Sequence, residues 1–155
     1  MLKSIQVAGY MSRRVITVSP KQTVHEAIAI LLENRISGAP VVDDKGALVG
    51  MFSESDCLKG ALEATYHGTE IGLVSDYMTV DLQTVTGKTS ILDAAEIFLA
   101  DHRRRLPVVE DGKLVGQLEF DDEGIRVPAQ RLANGNLLVF GNSGKMAVFQ
   151  VKPQD

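Results

Sequence analysis

The residues best suited to chemistry in this chain are a serine and an aspartate three apart, Ser53 and Asp56, and a run of three arginines, Arg103 to Arg105. Ser53-Glu54-Ser55-Asp56 follows the apolar run Ala47 to Phe52 and opens a segment with helical spacing, Glu54 to Tyr66. An aspartate just after a strand and at the start of a helix can turn its carboxylate to a cleft and accept two hydroxyl hydrogens. A serine one turn earlier can donate to a phosphate or ribose oxygen. Both are also favoured helix-cap residues, so the pair reads equally as a structural N-terminus. The stretch Asp101-His102-Arg103-Arg104-Arg105-Leu106-Pro107 concentrates positive charge in a chain of net charge -4. Arginine forks suit phosphate oxygens, while cations also complement a helix C-terminus, and here too both readings stay open.

Other chemistries lack material. His25, His67 and His102 have no ligand-like spacing, and Cys57 is the sole cysteine, so neither a metal site nor an internal disulfide is expected. Cys57 reads as a packed thiol in the helix after Asp56. Gly9, Gly38, Gly46 and Gly50 are turn and strand-end glycines rather than a phosphate loop. No Ser-His-Asp or paired-carboxylate arrangement suggests catalysis, so no enzyme and no catalytic cofactor are expected. A pI near 5.4 argues against a nucleic-acid partner. No apolar run reaches membrane-spanning length, and the N-terminus lacks a secretory pattern, so the expectation is a cytoplasmic protein with no membrane partner.

The elements that must position these residues occur twice. Met11-Ser12 falls on Met78-Thr79 at an offset of 67, and the offset persists through Thr17-Val18 on Thr84-Val85 and Pro40-Val41-Val42 on Pro107-Val108-Val109. One residue is lost where Asp43-Asp44-Lys45-Gly46 faces Glu110-Asp111-Gly112, after which Leu48-Val49-Gly50 matches Leu114-Val115-Gly116 at 66. In the first copy Val15 to Val18 reads as a short strand. Thr23 with Glu26 makes a capping box for a helix carrying Ala27, Ile28, Ile30, Leu31 and Leu32. Ala39 to Val42 and Ala47 to Phe52 form a hairpin, and the second helix places Leu58, Ala61, Leu62 and Thr65 on one side. The fold class is therefore α+β, an α/β-type sandwich of two β-α-β-β-α repeats. Residues 1–67 and 68–122 form one module, and 123–155 form an atypical extension with a hairpin at Leu137–Phe140 and Lys145–Val151.

The ordered set Thr-Val before a proline, Ile36-Ser37-Gly38-Ala39-Pro40-Val41-Val42-Asp43, Leu48-Val49-Gly50 and Ser53-x-x-Asp56 resembles the CBS (cystathionine-β-synthase) domain family, over roughly residues 5 to 122. The resemblance implies a pseudo-twofold pair, or Bateman module, that forms a homodimer. It further implies binding of AMP, ADP, ATP or S-adenosylmethionine in clefts, with occupancy controlling an unidentified protein target. Such a cleft joins the aspartate of one repeat to the strand and Ile-Ser-Gly segment of the other. For this chain that implies ligand contacts from Ser53 and Asp56 with Gln83, Arg103, Arg104 and Arg105, from Ile16, Ile36 and Ser37, and from Asp122 in the second copy. The second copy departs from the pattern: Glu119 stands where Ser53 does and would repel a phosphate, and Gly124 and Pro128 interrupt the closing helix. The Asp122 cleft is therefore expected to be weakened, altered or absent. If both clefts are vestigial, the alternative is a dimerisation or interaction scaffold.

Overall fold

The computed structural model describes residues 5–101 and 103–119, together with the backbone of three short strands between 130 and 149. The chain divides into two compact units that interleave in sequence. One comprises residues 13–83 with 109–115; the other comprises residues up to 12, 84–108 and from 116 onward.

In the first unit, α1 (Val24–Glu33) starts from the expected capping box: Thr23 Oγ1 accepts from the Glu26 N–H at 3.2 Å, and Glu26 Oε2 accepts from the Thr23 N–H at 3.1 Å. Its buried face is Val24, Ala27 and Leu31, spaced by one turn or two. The helix stops where Arg35 takes φ 53°, and the Ile36 N–H then reaches back to the Leu31 carbonyl at 3.0 Å. β1 (Gly38–Val42) and β2 (Leu48–Ser53) form an antiparallel hairpin in which Gly38 lies opposite Ser53 and Pro40 opposite Met51. Asp43 Oδ1 shapes the turn by accepting from the N–H groups of Lys45 and Ala47. The core gathers Val18, Val24, Ala27, Leu31, Ala39, Val41, Phe52 and Val74.

The run Val15 to Val18 contributes less than its composition suggests. Only Val18 pairs with β1: its N–H donates to the Pro40 carbonyl and its own carbonyl accepts from the Val42 N–H, both at 3.0 Å. Pro40 has no N–H, so the ladder stops there, short of Ile16. Val85 repeats the arrangement in the other unit against Pro107 and Val108.

α2 (Glu54–His67) leaves β2 without a connecting loop and ends at Gly68, where φ is 62°. It buries its small-residue side, with Gly60 against the Tyr77 ring and Ala64 nearby, while Leu58, Leu62 and Tyr66 are 66%, 57% and 82% exposed. A one-turn helix, α3 (Val74–Tyr77), brings Met78-Thr79 back across the hairpin. There the N–H groups of Thr79 and Met51 donate to each other's carbonyls at 2.8 and 2.9 Å. That crossing requires Gly50, because a Cβ there would lie 2.7 Å from Met78 Sδ. The turn residues Gly112 and Leu114 complete this unit by bonding with Leu48 and Gly46.

The second unit is built alike. Ile91–Asp101 forms α4, with Ile91, Ala94, Ala95 and Phe98 buried; β3 (Arg105–Glu110) and β4 (Lys113–Glu119) are hydrogen-bonded neighbours. Met11-Ser12 crosses β4 as Met78-Thr79 crosses β2: Ser12 and Gln117 exchange two hydrogen bonds of 2.9 Å, and Gly116 leaves the space for Met11. The expected C-terminal hairpin is present as β6 (Leu137–Phe140) and β7 (Met146–Phe149), with Leu137 opposite Phe149. A further strand, β5 (Gln130–Arg131), pairs with β6, and the three form a sheet of their own.

Candidate functional site

Ser53 is at once the last residue of β2 and the N-cap of α2, with extended backbone at φ -129°. Its N–H donates to Asp56 Oδ2 at 2.9 Å, and its hydroxyl donates to the same oxygen at 3.1 Å. Asp56 is only 3% exposed. A carboxylate buried that far needs hydrogen bonds to hold its charge. Here it has two donors and the N-terminal end of a 14-residue helix, whose dipole favours an anion. The structural capping role is therefore real, and it leaves the carboxylate further lone pairs with which to accept hydroxyl hydrogens. Ser53 is committed in the opposite sense. Its hydroxyl hydrogen points to Asp56, so it can donate to a phosphate only by turning away. The adjoining Cys57 thiol is pushed above the ordinary thiol range, first by burial and then by the Asp56 charge.

The strand geometry brings the Ile-Ser-Gly segment to this corner. Gly38 pairs with Ser53, and the Ser37 carbonyl accepts from the Glu54 N–H at 3.0 Å, so Ser37, Gly38, Ser53 and Asp56 meet at one end of the β1–β2 hairpin. Ile36 is half-buried against the core, Ile16 is exposed, and Gln83 is half-buried on the extended run after Thr79. Ile16, Ile36, Ser37, Ser53 and Asp56, expected from the first repeat, belong to this unit, and so does Gln83, which was expected from the second.

The arginines belong to the other unit. Arg103 Nε lies 3.7 Å from Asp101 Oδ2 at a half-exposed position, Arg104 is exposed, and Arg105 begins β3 half-buried. Asp122 and His102 lie outside the described residues. Glu119 is exposed and accepts from Gln117 Nε2 at 2.9 Å. Gln117 itself is 6% exposed, and its Oε1 is buried with no hydrogen-bond partner among the described residues. The repeat pattern flags Glu119, which replaces Ser53. Gln117 replaces Met51 on the same strand, and the strand's burial alone shows how costly that exchange is. Among the described residues no three His, Cys, Asp or Glu side chains come together as a metal ion requires, and no helix is long and apolar enough to cross a membrane.

The CBS domain model matches residues 7–63 and 74–122. The CBS domain-containing protein YhcV of Bacillus subtilis is 31% identical, over 84% of this chain and 91% of that protein. The chloroplastic CBSX1 of Arabidopsis thaliana is 38% identical over 64% of this chain, which spans 53% of CBSX1. A solved structure of CBSX2 in complex with AMP aligns with a TM-score of 0.67 at 36% identity, covering 74% of this chain and 90% of that one. The CBS domain pair of MJ0100 in complex with 5-methylthioadenosine and S-adenosyl-L-methionine aligns at 0.63 and 25% identity, covering 74% and 92%. A different likeness covers a single stretch: 46 residues are 96% identical to the outer membrane protein assembly factor BamB of Marinobacter adhaerens, 30% of this chain and 12% of that protein. With its two repeats matched across both segments, the chain belongs to the CBS domain family.

Proposed function

We propose that this chain is a regulatory module that binds an adenosine-containing ligand at the corner formed by Ser37, Gly38, Ser53 and Asp56. The observation that carries the reading is Asp56: a buried, ionisable carboxylate at a helix N-terminus, within reach of the Ile-Ser-Gly backbone. In this reading Asp56 accepts the ribose hydroxyls, Ile16 and Ile36 flank the base, and Ser53 turns from Asp56 to the phosphate or sugar. Gln83 supplies a further polar group of the same unit, and the ligand is AMP, ADP, ATP or S-adenosylmethionine. The complexes of CBSX2 with AMP and of MJ0100 with S-adenosylmethionine support an adenosine ligand in both arms of that choice. The chain acts as a sensor rather than an enzyme, in the cytoplasm, and reports occupancy to a partner protein through a homodimer. The exposed row Leu58, Leu62 and Tyr66, at every fourth position along α2, supports an association of that kind.

Calorimetric titration with AMP, ADP, ATP and S-adenosylmethionine tests this, using wild-type protein and Asp56→Ala shown to be folded by circular dichroism. Saturable binding to the wild type, weakened at least tenfold in Asp56→Ala, is the expected result. No heat from any of the four ligands in folded, nucleotide-free protein would overturn it. That outcome would favour the second reading, an interaction scaffold with vestigial clefts, for which the replacement of Ser53 by Glu119 in the second repeat already speaks.

A further inference from the structure

The duplication gives an internal comparison for the open end of each hairpin. Arg105 begins β3 and Glu119 ends β4, and the Asp111-Gly112 turn joins their other ends, so both residues stand at the open end. In the first repeat the corresponding positions are uncharged: Ile36, Ser37, Gly38, Met51 and Ser53. In the second they hold Arg103, Arg104, Arg105, Gln117 and Glu119. The core positions beside them stay apolar. Leu106, Val108 and Leu118 stand where Ala39, Val41 and Phe52 do, and all are buried. The exchange is therefore confined to one end of one hairpin and to side chains that carry charge or hydrogen-bond.

Two of these groups are buried with bonding capacity unused among the described residues. Gln117 is 6% exposed; its Nε2 donates to Glu119 Oε1 at 2.9 Å, while its Oε1 has no hydrogen-bond partner. Arg103 Nε is buried without a hydrogen bond, 3.7 Å from Asp101 Oδ2. Unmet buried polar groups are costly, and a ligand carrying both an anionic oxygen and a hydrogen to donate would satisfy the two together.

We infer that this end of the second unit binds inorganic phosphate, selected as an oxyanion that keeps a proton. The guanidinium groups of Arg103, Arg104 and Arg105 donate to the ionised oxygens, and Gln117 Oε1 accepts from the P–O–H group. Glu119 enforces the choice. Its carboxylate repels an oxyanion with no proton and tolerates one that can donate beside it. Hydrogen phosphate passes that test at neutral pH, whereas sulfate has no proton, and a phosphate monoester loses its last one at about pH 6. The same residue that opposes a nucleotide phosphate at this end thus admits free phosphate. All five side chains belong to the second unit, and the site does not depend on the adenosine reading of Asp56.

Calorimetric titration of the full chain at pH 7.5 and fixed ionic strength, with inorganic phosphate, sulfate and methyl phosphate in turn, tests the site. Phosphate should saturate, with the other two anions at least tenfold weaker. Arg103→Gln combined with Arg104→Gln should weaken phosphate at least tenfold. Glu119→Gln, at an exposed position, offers an amide that donates as well as accepts, and should bring sulfate within threefold of phosphate. Far-UV circular dichroism checks that each variant is folded. No saturable phosphate binding overturns the inference, as does equal affinity for the three anions in the wild type. So does phosphate binding unmoved by the double arginine variant, or a sulfate affinity unmoved by Glu119→Gln. Displacement of phosphate by adenosine, which carries no phosphate of its own, would place both ligands in one cleft and overturn it too.

Discussion

Asp56 is asked to serve two ends, and its structural share can be measured without any ligand. Asp56→Ala removes an ionised oxygen that accepts from the Ser53 N–H at 2.9 Å and from the Ser53 hydroxyl at 3.1 Å. Hydrogen bonds to a charged group contribute about 1.5–3 kcal/mol each, and a lost helix cap costs about 1 kcal/mol. The two bonds share one acceptor, and alanine relieves the cost of burying a charge at a site 3% exposed. The balance is a net destabilisation of about 2–3 kcal/mol. The box at the start of α1 is an internal control: at an exposed position Glu26 Oε2 accepts one bond, from the Thr23 N–H at 3.1 Å, while Thr23 Oγ1 accepts from the Glu26 N–H. There Glu26→Ala should cost about 0.5–1 kcal/mol, because water replaces the lost acceptor. Urea denaturation at pH 7, followed by far-UV circular dichroism, gives both values. If Asp56→Ala costs no more than Glu26→Ala, burial does not strengthen the Ser53–Asp56 box and the reasoning fails. The measurement also says how much ligand-binding loss in Asp56→Ala needs correction for unfolded protein.

Two further outcomes follow from the same corner and its neighbour. Gly50→Ala would set a Cβ 2.7 Å from Met78 Sδ and 3.1 Å from the Thr79 carbonyl oxygen. The sulfur can swing aside, but the carbonyl is held in a reciprocal pair with Met51, so the expected cost is about 1–3 kcal/mol. Gly9→Ala, with nothing within 4 Å of the new Cβ, should stay within about 0.5 kcal/mol, and equal costs at the two sites would refute the crossing argument. Cys57, raised by burial and by Asp56, holds less thiolate at a given pH than an ordinary cysteine. Its alkylation by iodoacetamide at pH 7.5 should therefore be slower than that of glutathione and should rise through a midpoint displaced to higher pH. Asp56→Asn, which removes the second cause, should shift that midpoint down. A wild-type rate equal to glutathione's would contradict the assigned burial.

Legibility differed between elements for physical reasons. The helices announce themselves through local rules: Thr23 with Glu26 closes a capping box, and Val24, Ala27 and Leu31 repeat at helical spacing, whatever the rest of the chain does. The hairpins are equally local, because turn residues and alternation set their register. Val15 to Val18 misled in extent, since β-branched composition says nothing about whether the neighbouring strand can donate, and Pro40 cannot. The interleaving of the two units was not legible as such. Ser12 bonds to Gln117 across most of the chain, and no local pattern encodes a partner so distant. The duplication nevertheless held the clue. Met11-Ser12 and Met78-Thr79 recur ahead of their repeats with no role inside them, while Gly50 and Gly116 recur as positions without a side chain on their strands; each dipeptide fills the space one of the glycines leaves.

The same contrast separates the two copies of the candidate site. Residue types alone find Ser53 and Asp56, because few side chains can both cap a helix and accept a diol. They do not find the direction of the Ser53 hydroxyl, which depends on how deeply Asp56 is buried. In the second copy the pattern persists through Leu114-Val115-Gly116, then departs at Gln117 and Glu119 while keeping an aspartate at Asp122. The part that persists is what any hairpin beneath a crossing chain demands, and the part that fails is what a nucleotide would demand. The second repeat can therefore keep its fold signature while Glu119 stands where Ser53 does, which is why Gln117 and Glu119, rather than the matching residues before them, set the two copies apart.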